Sequence, residues 1–186
     1  VIALAYNFYQ SLGIKNLKLK LNSIGSKDAR IKYKEELYNY LVPYKNKLSK
    51  ISQNRLKTNP LRILDTKIDF ESEILNNAPH ILDFISKDDK KHFNDVLHLL
   101  DHLQIKYIID YNLVRGLDYY CKTVFEIQSD KLGAQDALCG GGRYDYLIEE
   151  LGGNPAPAIG FAAGLERLIL ALENEKNQPI NYPDIY

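Results

Sequence analysis

Apolar residues recur at helical spacing at the start of the chain, where Ile2, Ala5, Phe8, Tyr9 and Leu12 share one side and Gly13 suits a C-terminal cap. Leu17, Leu19 and Leu21 then alternate with lysines, the pattern of a half-buried strand. Ser26 can cap a helix whose face carries Leu37, Leu41, Tyr44, Leu48 and Ile51, and Pro43 should kink or divide it. A second helix, from about Asp89, carries Phe93, Val96, Leu97, Leu100 and Leu103. Residues 105–110 and 123–127 are short and β-rich. A strand ending at Leu138-Cys139 is expected to give way to the glycines at 140–142, with a helix beginning there. Residues 158–163 read as a strand, and Leu165, Leu168, Ile169 and Leu172 as one helical face. No internal repeat is present.

Composition narrows the class. The 186 residues are 45% hydrophobic and 26% charged, with 24 Lys plus Arg against 24 Asp plus Glu, which excludes collagen and wholesale disorder. Two cysteines, Cys121 and Cys139, cannot build a disulfide framework, so a reducing, cytoplasmic setting is expected. No apolar run is long enough for a membrane span, and the first twelve residues lack the basic lead of a signal peptide. The chain has no Met, and this together with its start inside a helical pattern suggests part of something longer.

The neutral total hides an asymmetry. Residues 27–62 carry ten bases and three acids, and residues 63–101 carry four bases and nine acids. A basic stretch of this kind suits nucleic-acid phosphate, or else is a solvated lysine-rich surface. Nine of the 11 glycines lie from Gly116 onward, and none falls between Gly25 and Gly116. The chain therefore divides into a sheet-forming piece at 1–25, a helical insert at 26–106, and a second sheet-forming piece at 107–176.

The chemistry gathers in the last piece. Three of the six arginines (Arg115, Arg143 and Arg167) fall there, where lysine is scarce, and a planar guanidinium grips carboxylate or phosphate as an ammonium cannot. Arg115-Gly116-Leu117-Asp118-Tyr119-Tyr120 leads into a strand and sets an arginine, a carboxylate and two phenols at its entrance. Gly140-Gly141-Gly142-Arg143-Tyr144-Asp145 lets backbone approach a ligand or another strand, but lacks the Lys and Ser/Thr of a P-loop. In Gly160-Phe161-Ala162-Ala163-Gly164-Leu165-Glu166-Arg167, an arginine in the first helical turn opposes the helix dipole, which an anionic ligand would explain.

These three segments resemble, in order, the histidine-specific motif, the glycine-rich histidine-pocket motif and motif 3 of the histidyl-tRNA synthetases, a family of class II aminoacyl-tRNA synthetases. Asn22-Ser23-Ile24-Gly25 and Asn59-Pro60-Leu61-Arg62-Ile63-Leu64-Asp65 are also similar to bacterial members. The resemblance runs from the first residue to about Leu172. It implies an α+β fold, an antiparallel sheet flanked by helices and interrupted by a helical insertion domain. It also implies that motifs 1 and 2 should precede Val1, and that 177–186 is a linker toward a C-terminal anticodon-binding domain.

The implied reaction has two steps: histidine attacks the α-phosphate of ATP, and the histidyl group then passes to tRNA(His). Arg115 resembles the family arginine at the α-phosphate and histidine carboxylate, the main catalytic group. Arg167, with Gly164, resembles the motif 3 element that holds ATP. Tyr119, Tyr120, Tyr144, Asp118 and Gly141 are the implied histidine-binding residues, with Asp118 orienting Arg115 or making a salt bridge instead. The insertion domain is expected to meet tRNA through Lys27, Arg30, Lys34, Arg55 and Lys57. Mg²⁺ is expected to arrive with the nucleotide, with no protein metal site; His98 and His102, four apart, lack a third ligand. The full-length protein should be a homodimer, independent of membranes. Arg143 is expected to pair with Asp145 or Glu149 and to have no catalytic role. Two rivals keep the fold without aminoacylation: a synthetase-like regulatory subunit of ATP phosphoribosyltransferase, and a tRNA-sensing domain within a kinase.

Overall fold

The computed structural model describes residues 1–133 and 136–176, so the stretch expected as a linker, 177–186, lies outside the described residues. Helix α1 (Ile2–Ser11) ends where Gly13 takes a φ of 87°, and leads to strand β1 (Leu17–Ser23). Gly25, at φ 61°, turns the chain into the insert; a Cβ there would lie 2.7 Å from Cγ2 of Ile85.

Helix α2 (Lys27–Leu41) is capped by the Ser26 side chain, which accepts from the Ala29 amide. Pro43 does divide the predicted helix: a 3₁₀ segment, Val42–Lys47, separates α2 from α3 (Lys50–Thr58). That break rotates the second half, so Leu37, Leu41 and Leu48 are buried whereas Ile51 is exposed, contrary to the single-face expectation. A 3₁₀ turn (Pro60–Ile63) and α4 (Asp69–Leu75) complete a cluster around Tyr33, Leu37, Leu41, Leu56 and Ile63.

Helix α5 (Lys87–His102) belongs to the other cluster, packing Phe93 and Leu100 with α1 and the sheet. The glycine-free segment is thus divided in its packing: α2 to α4 share one cluster with Tyr120 and Val124, and α5 joins the other with α1 and the sheet.

Strands β2 (Tyr107–Ile109), β3 (Cys121–Ser129), β4 (Ala137–Arg143) and β5 (Ile159–Ala163) join β1 in one sheet of order β2-β1-β3-β4-β5. Only β1 and β2 pair in parallel, which the long crossover through the insert and α5 permits. The remaining pairs are antiparallel. Between β4 and β5 lies a single short turn, α6 (Leu147–Glu150).

One face of the sheet carries Leu19, Leu21, Phe125, Ile127 and Cys139, buried against the helices. Helix α7 (Leu165–Lys176) contributes Leu168, Ala171 and Leu172 to this core. Leu165 and Ile169, expected on its buried face, are exposed, because the buried stripe is set one step further round the helix. The other face holds the row Lys20, Glu126 and Gly140, in register across three strands. The insert covers part of it, packing on Tyr120 and Val124. No helix among the described residues is long and apolar enough to cross a membrane.

Candidate active site

The glycines 140–142 lie inside β4, paired on both sides, and do not open a helix as their sequence suggested. Three residues without side chains would weaken an ordinary strand, so their use here calls for a reason. Each is crowded by a different neighbour. A Cβ on Gly140 would collide with the Arg115 guanidinium, and one on Gly141 with the Gly160 carbonyl. On Gly142 it would sit 2.9 Å from Cδ1 of Tyr120, and on Gly160 of β5 it would sit 2.8 Å from the Tyr144 hydroxyl. Bare backbone is the floor on which Arg115, Tyr120 and Tyr144 lie.

Arg115 is fixed there by a carboxylate that sequence reading passed over. Its Nη1 donates to Glu126 Oε2 at 2.8 Å, and Gln128 Nε2 donates to Glu126 Oε1, also at 2.8 Å. Asp118, for which orienting Arg115 was one of the expected roles, accepts from Asn59 Nδ2 at 3.5 Å. The signal was present: Glu126 and Gln128 alternate with the buried Phe125 and Ile127, which marks a polar sheet face. The Nε of Arg115 is buried and has no partner among the described residues, a donor left over for an oxygen ligand.

The three candidate tyrosines do come together. Tyr119 and Tyr120 have ring centroids 4.6 Å apart, and Tyr144 stands edge-on to both at 5.8 and 6.2 Å. Burial, reinforced by the neighbouring Tyr119 hydroxyl, pushes the Tyr120 phenol up to about 12. At neutral pH it is therefore a neutral group that can both donate and accept, the property an imidazole ligand requires. The Tyr144 amide donates to the Ala158 carbonyl at 2.8 Å, and the neighbouring Asp145 carboxylate accepts from Arg143 Nε at 3.0 and 3.1 Å and from the Ala158 amide at 3.2 Å. Arg143 pairs with Asp145, one of its two expected partners.

Arg167 donates through Nη1 to the Ala137 carbonyl at 2.9 Å, at the start of β4. Ala137 is three residues from Gly140, which carries Arg115, or about 10 Å along a strand. Gly164 binds the same end through its amide, to the Leu138 carbonyl at 3.0 Å.

Two larger cavities flank Arg115, beside a smaller one of about 200 Å³. One, of about 390 Å³, lies between α2 and the 114–119 segment; Lys27, Arg30, Lys34, Arg62 and Arg115 line it against only Asp118 and Glu150. The other, of about 350 Å³, opens on the polar sheet face at Glu126, Gln128, Lys20 and Asp110.

Several of the expected tRNA-facing bases already have protein partners. Lys27 pairs with Glu150 at 2.6 Å, Arg55 donates to the Arg62 carbonyl at 2.9 Å, and Arg30 donates to the carbonyls of Asp118 and Tyr120. Among the described residues, Lys34 and Lys57 make no salt bridge.

Burial raises the pKa of both thiols, that of Cys139 to about 11, which favours their protonated forms. His98 and His102 are exposed, and the described residues contain no group of three or more His, Cys, Asp or Glu able to hold a metal ion.

A mainly antiparallel five-stranded sheet flanked by helices is the fold of class II aminoacyl-tRNA synthetases. A family model described as Histidyl-tRNA synthetase matches residues 1–168. The histidine–tRNA ligase of Rippkaea orientalis is 54% identical over all 186 residues. The crystal structure of apo Staphylococcus aureus histidyl-tRNA synthetase superposes with a TM-score of 0.71 at 40% identity over 97% of the chain. The chain belongs to the histidyl-tRNA synthetase family. It spans 43% of the length of the Rippkaea relative and 44% of the Staphylococcus one. A Bacillus halodurans structure described as an ATP phosphoribosyltransferase regulatory subunit/histidyl-tRNA synthetase is also similar, at 25% identity and a TM-score of 0.57.

Proposed function

We propose that the chain forms part of the catalytic core of a cytoplasmic, homodimeric histidine–tRNA ligase, which makes histidyl-adenylate from histidine and ATP and passes histidine to tRNA(His). The observation that carries this reading is Arg115, buttressed by Glu126 above Gly140 beside three clustered phenols. The guanidinium would bind the histidine carboxylate and α-phosphate together and neutralise charge that grows as the carboxylate attacks phosphorus. Displacement at phosphorus of this kind needs alignment and charge stabilisation rather than a protein nucleophile.

Tyr119, Tyr120 and Tyr144 would pair with the imidazole nitrogens, Tyr120 as a neutral phenol, and Gly141 would let the ring approach backbone. Unpaired phenols would then penalise any analogue lacking those nitrogens. Arg167 and Gly164 would hold ATP at the β4 start. Mg²⁺ would enter with the nucleotide; the described residues offer no ligand cluster for it, so no step is assigned to it. Lys34 and Lys57 remain for sequence-independent contact with tRNA phosphate.

The test is histidine-dependent ATP–pyrophosphate exchange by the full-length gene product, with Arg115→Ala beside it. Exchange specific to histidine and lost in the variant supports the reading. A folded full-length protein without exchange would shift the assignment to the regulatory subunit that the Bacillus halodurans likeness represents.

A further inference from the structure

The segment carrying Arg115, Tyr119 and Tyr120 has no regular structure, and residues 114–120 make no backbone-to-backbone hydrogen bond among the described residues. A functional loop without its own ladder must be shaped by something else, because its carbonyls need partners and its side chains need fixed positions. The partners are side chains, and most come from the insert. Arg62 Nη2 donates to the Gly116 carbonyl at 3.0 Å. Arg30 Nη1 donates to the Asp118 carbonyl at 3.0 Å and to the Tyr120 carbonyl. Asn59 reaches the Asp118 carboxylate, and Arg55 in turn holds the carbonyl of Arg62. On the sheet side, fully buried Asn22 donates to the carbonyls of Tyr111 and Leu113 at 3.2 and 3.1 Å.

We infer that Arg30 and Arg62 are positioning residues of the active site: they template the loop that presents Arg115, Tyr119 and Tyr120, rather than serving as tRNA phosphate contacts. The inference rests on the function proposed above. Its physical basis is the guanidinium itself, whose donors are fixed in one plane and can be aimed at two carbonyls together, whereas an ammonium on a flexible stem is a rotating point charge. Arg30 does bridge two, and those carbonyls flank Tyr119. The insert is thus a wall of the amino-acid site as well as an outlying tRNA surface. Lys27, Arg30, Lys34 and Arg62 all line the cavity beside the loop, so anything bound there would touch the residues that shape it.

Pyrophosphate exchange proceeds without tRNA, which makes it discriminating. In the full-length protein, Arg30→Gln is expected to raise the KM for histidine about tenfold or more, the scale of a displaced positioning group. Arg62→Gln should act in the same direction. Arg30→Lys should recover only part of the loss, since it keeps the charge but not the fork. A role confined to folding would lower kcat with the active fraction and leave KM alone, so that result overturns the inference. So does unchanged exchange with loss confined to aminoacylation, the outcome for a tRNA contact.

Limited proteolysis at 114–120 gives a readout independent of activity. Faster cleavage there in Arg30→Gln or Arg62→Gln, with the sheet still resistant, is expected; equal cleavage in wild type and variants would overturn the inference. If the wild-type protein shows no histidine-dependent pyrophosphate exchange, the proposed function fails, and the proteolysis still decides the clamp.

Discussion

Glu126 shows how little of a residue's task its identity reveals. In the sequence it is one polar position in a β-rich run; in the fold it fixes the guanidinium on which the proposed chemistry depends. Glu126→Gln keeps the shape but leaves a weaker, uncharged acceptor, and Arg115 loses its charge-assisted bond. The expected consequence is a fall in the exchange rate of about 100-fold, the scale of a catalytic group misplaced by an ångström. Gly140→Ala tests the same contact from the other side. Its methyl would enter the space of the guanidinium, so exchange should fall while the melting temperature changes little, because Arg115 is a side chain that can move aside. Arg115, Tyr119, Tyr120 and Tyr144 were legible as a group from the motifs that hold them. Glu126, Arg30 and Arg62 were not, because their partners lie 11, 88 and 54 residues away.

At the level of elements, capping and breaking signals predicted boundaries well, since they act locally. Ser26, Gly13 and Pro43 each end or begin a helix where the sequence suggested. The glycine run was misread because its reason is tertiary: close approach from Arg115 and Tyr120 overrides the tendency of glycine to mark a turn.

The insert has its own polar anchor. Glu71 of α4 is buried and accepts from the Ser49 amide at 2.7 Å, Ser52 Oγ at 2.8 Å and Thr66 Oγ1 at 2.6 Å, tying α3, α4 and the turn between them. Burial alone would raise its pKa, but the bonds from Thr66, Ser49 and Ser52 outweigh it and lower it. A lowered folded-state pKa means the stabilisation is complete above the ordinary carboxylate range and is lost as pH falls through the folded-state value. Glu71→Gln should cost about 2 kcal/mol in denaturant melts near neutrality, by setting an amide donor against donors. The variant should also lose less stability than wild type on acidification.

Across the whole molecule, the charge asymmetry read from the sequence lies on the insert, but internal pairing thins it. Lys27, Arg30 and Arg55 have protein partners, whereas Lys34 and Lys57 make no salt bridge among the described residues. If Lys34 and Lys57 meet phosphate, replacing either by Ala should weaken tRNA binding uniformly. Each replacement should also flatten the dependence of log affinity on log salt by about one unit. Measuring both slopes against wild type decides the point, and unchanged slopes would place the tRNA elsewhere. That three of the five strands follow Gly116 was legible from glycine spacing, because turns and close packing concentrate where glycine does. The return of α5 to the sheet was not, since an apolar stripe reports that a helix is buried, not against what.

The clustered phenols also give the molecule an optical handle. The chain contains 14 tyrosines and no tryptophan, so its ultraviolet emission is tyrosine emission, unmasked by a stronger fluorophore. Filling the space beside Tyr119, Tyr120 and Tyr144 would alter the surroundings of three of those emitters together. In an alkaline absorbance titration Tyr120, with its elevated pKa, would ionise among the last, after phenols in contact with water. A change around the three phenols of this chain can therefore be followed by light alone, without a label.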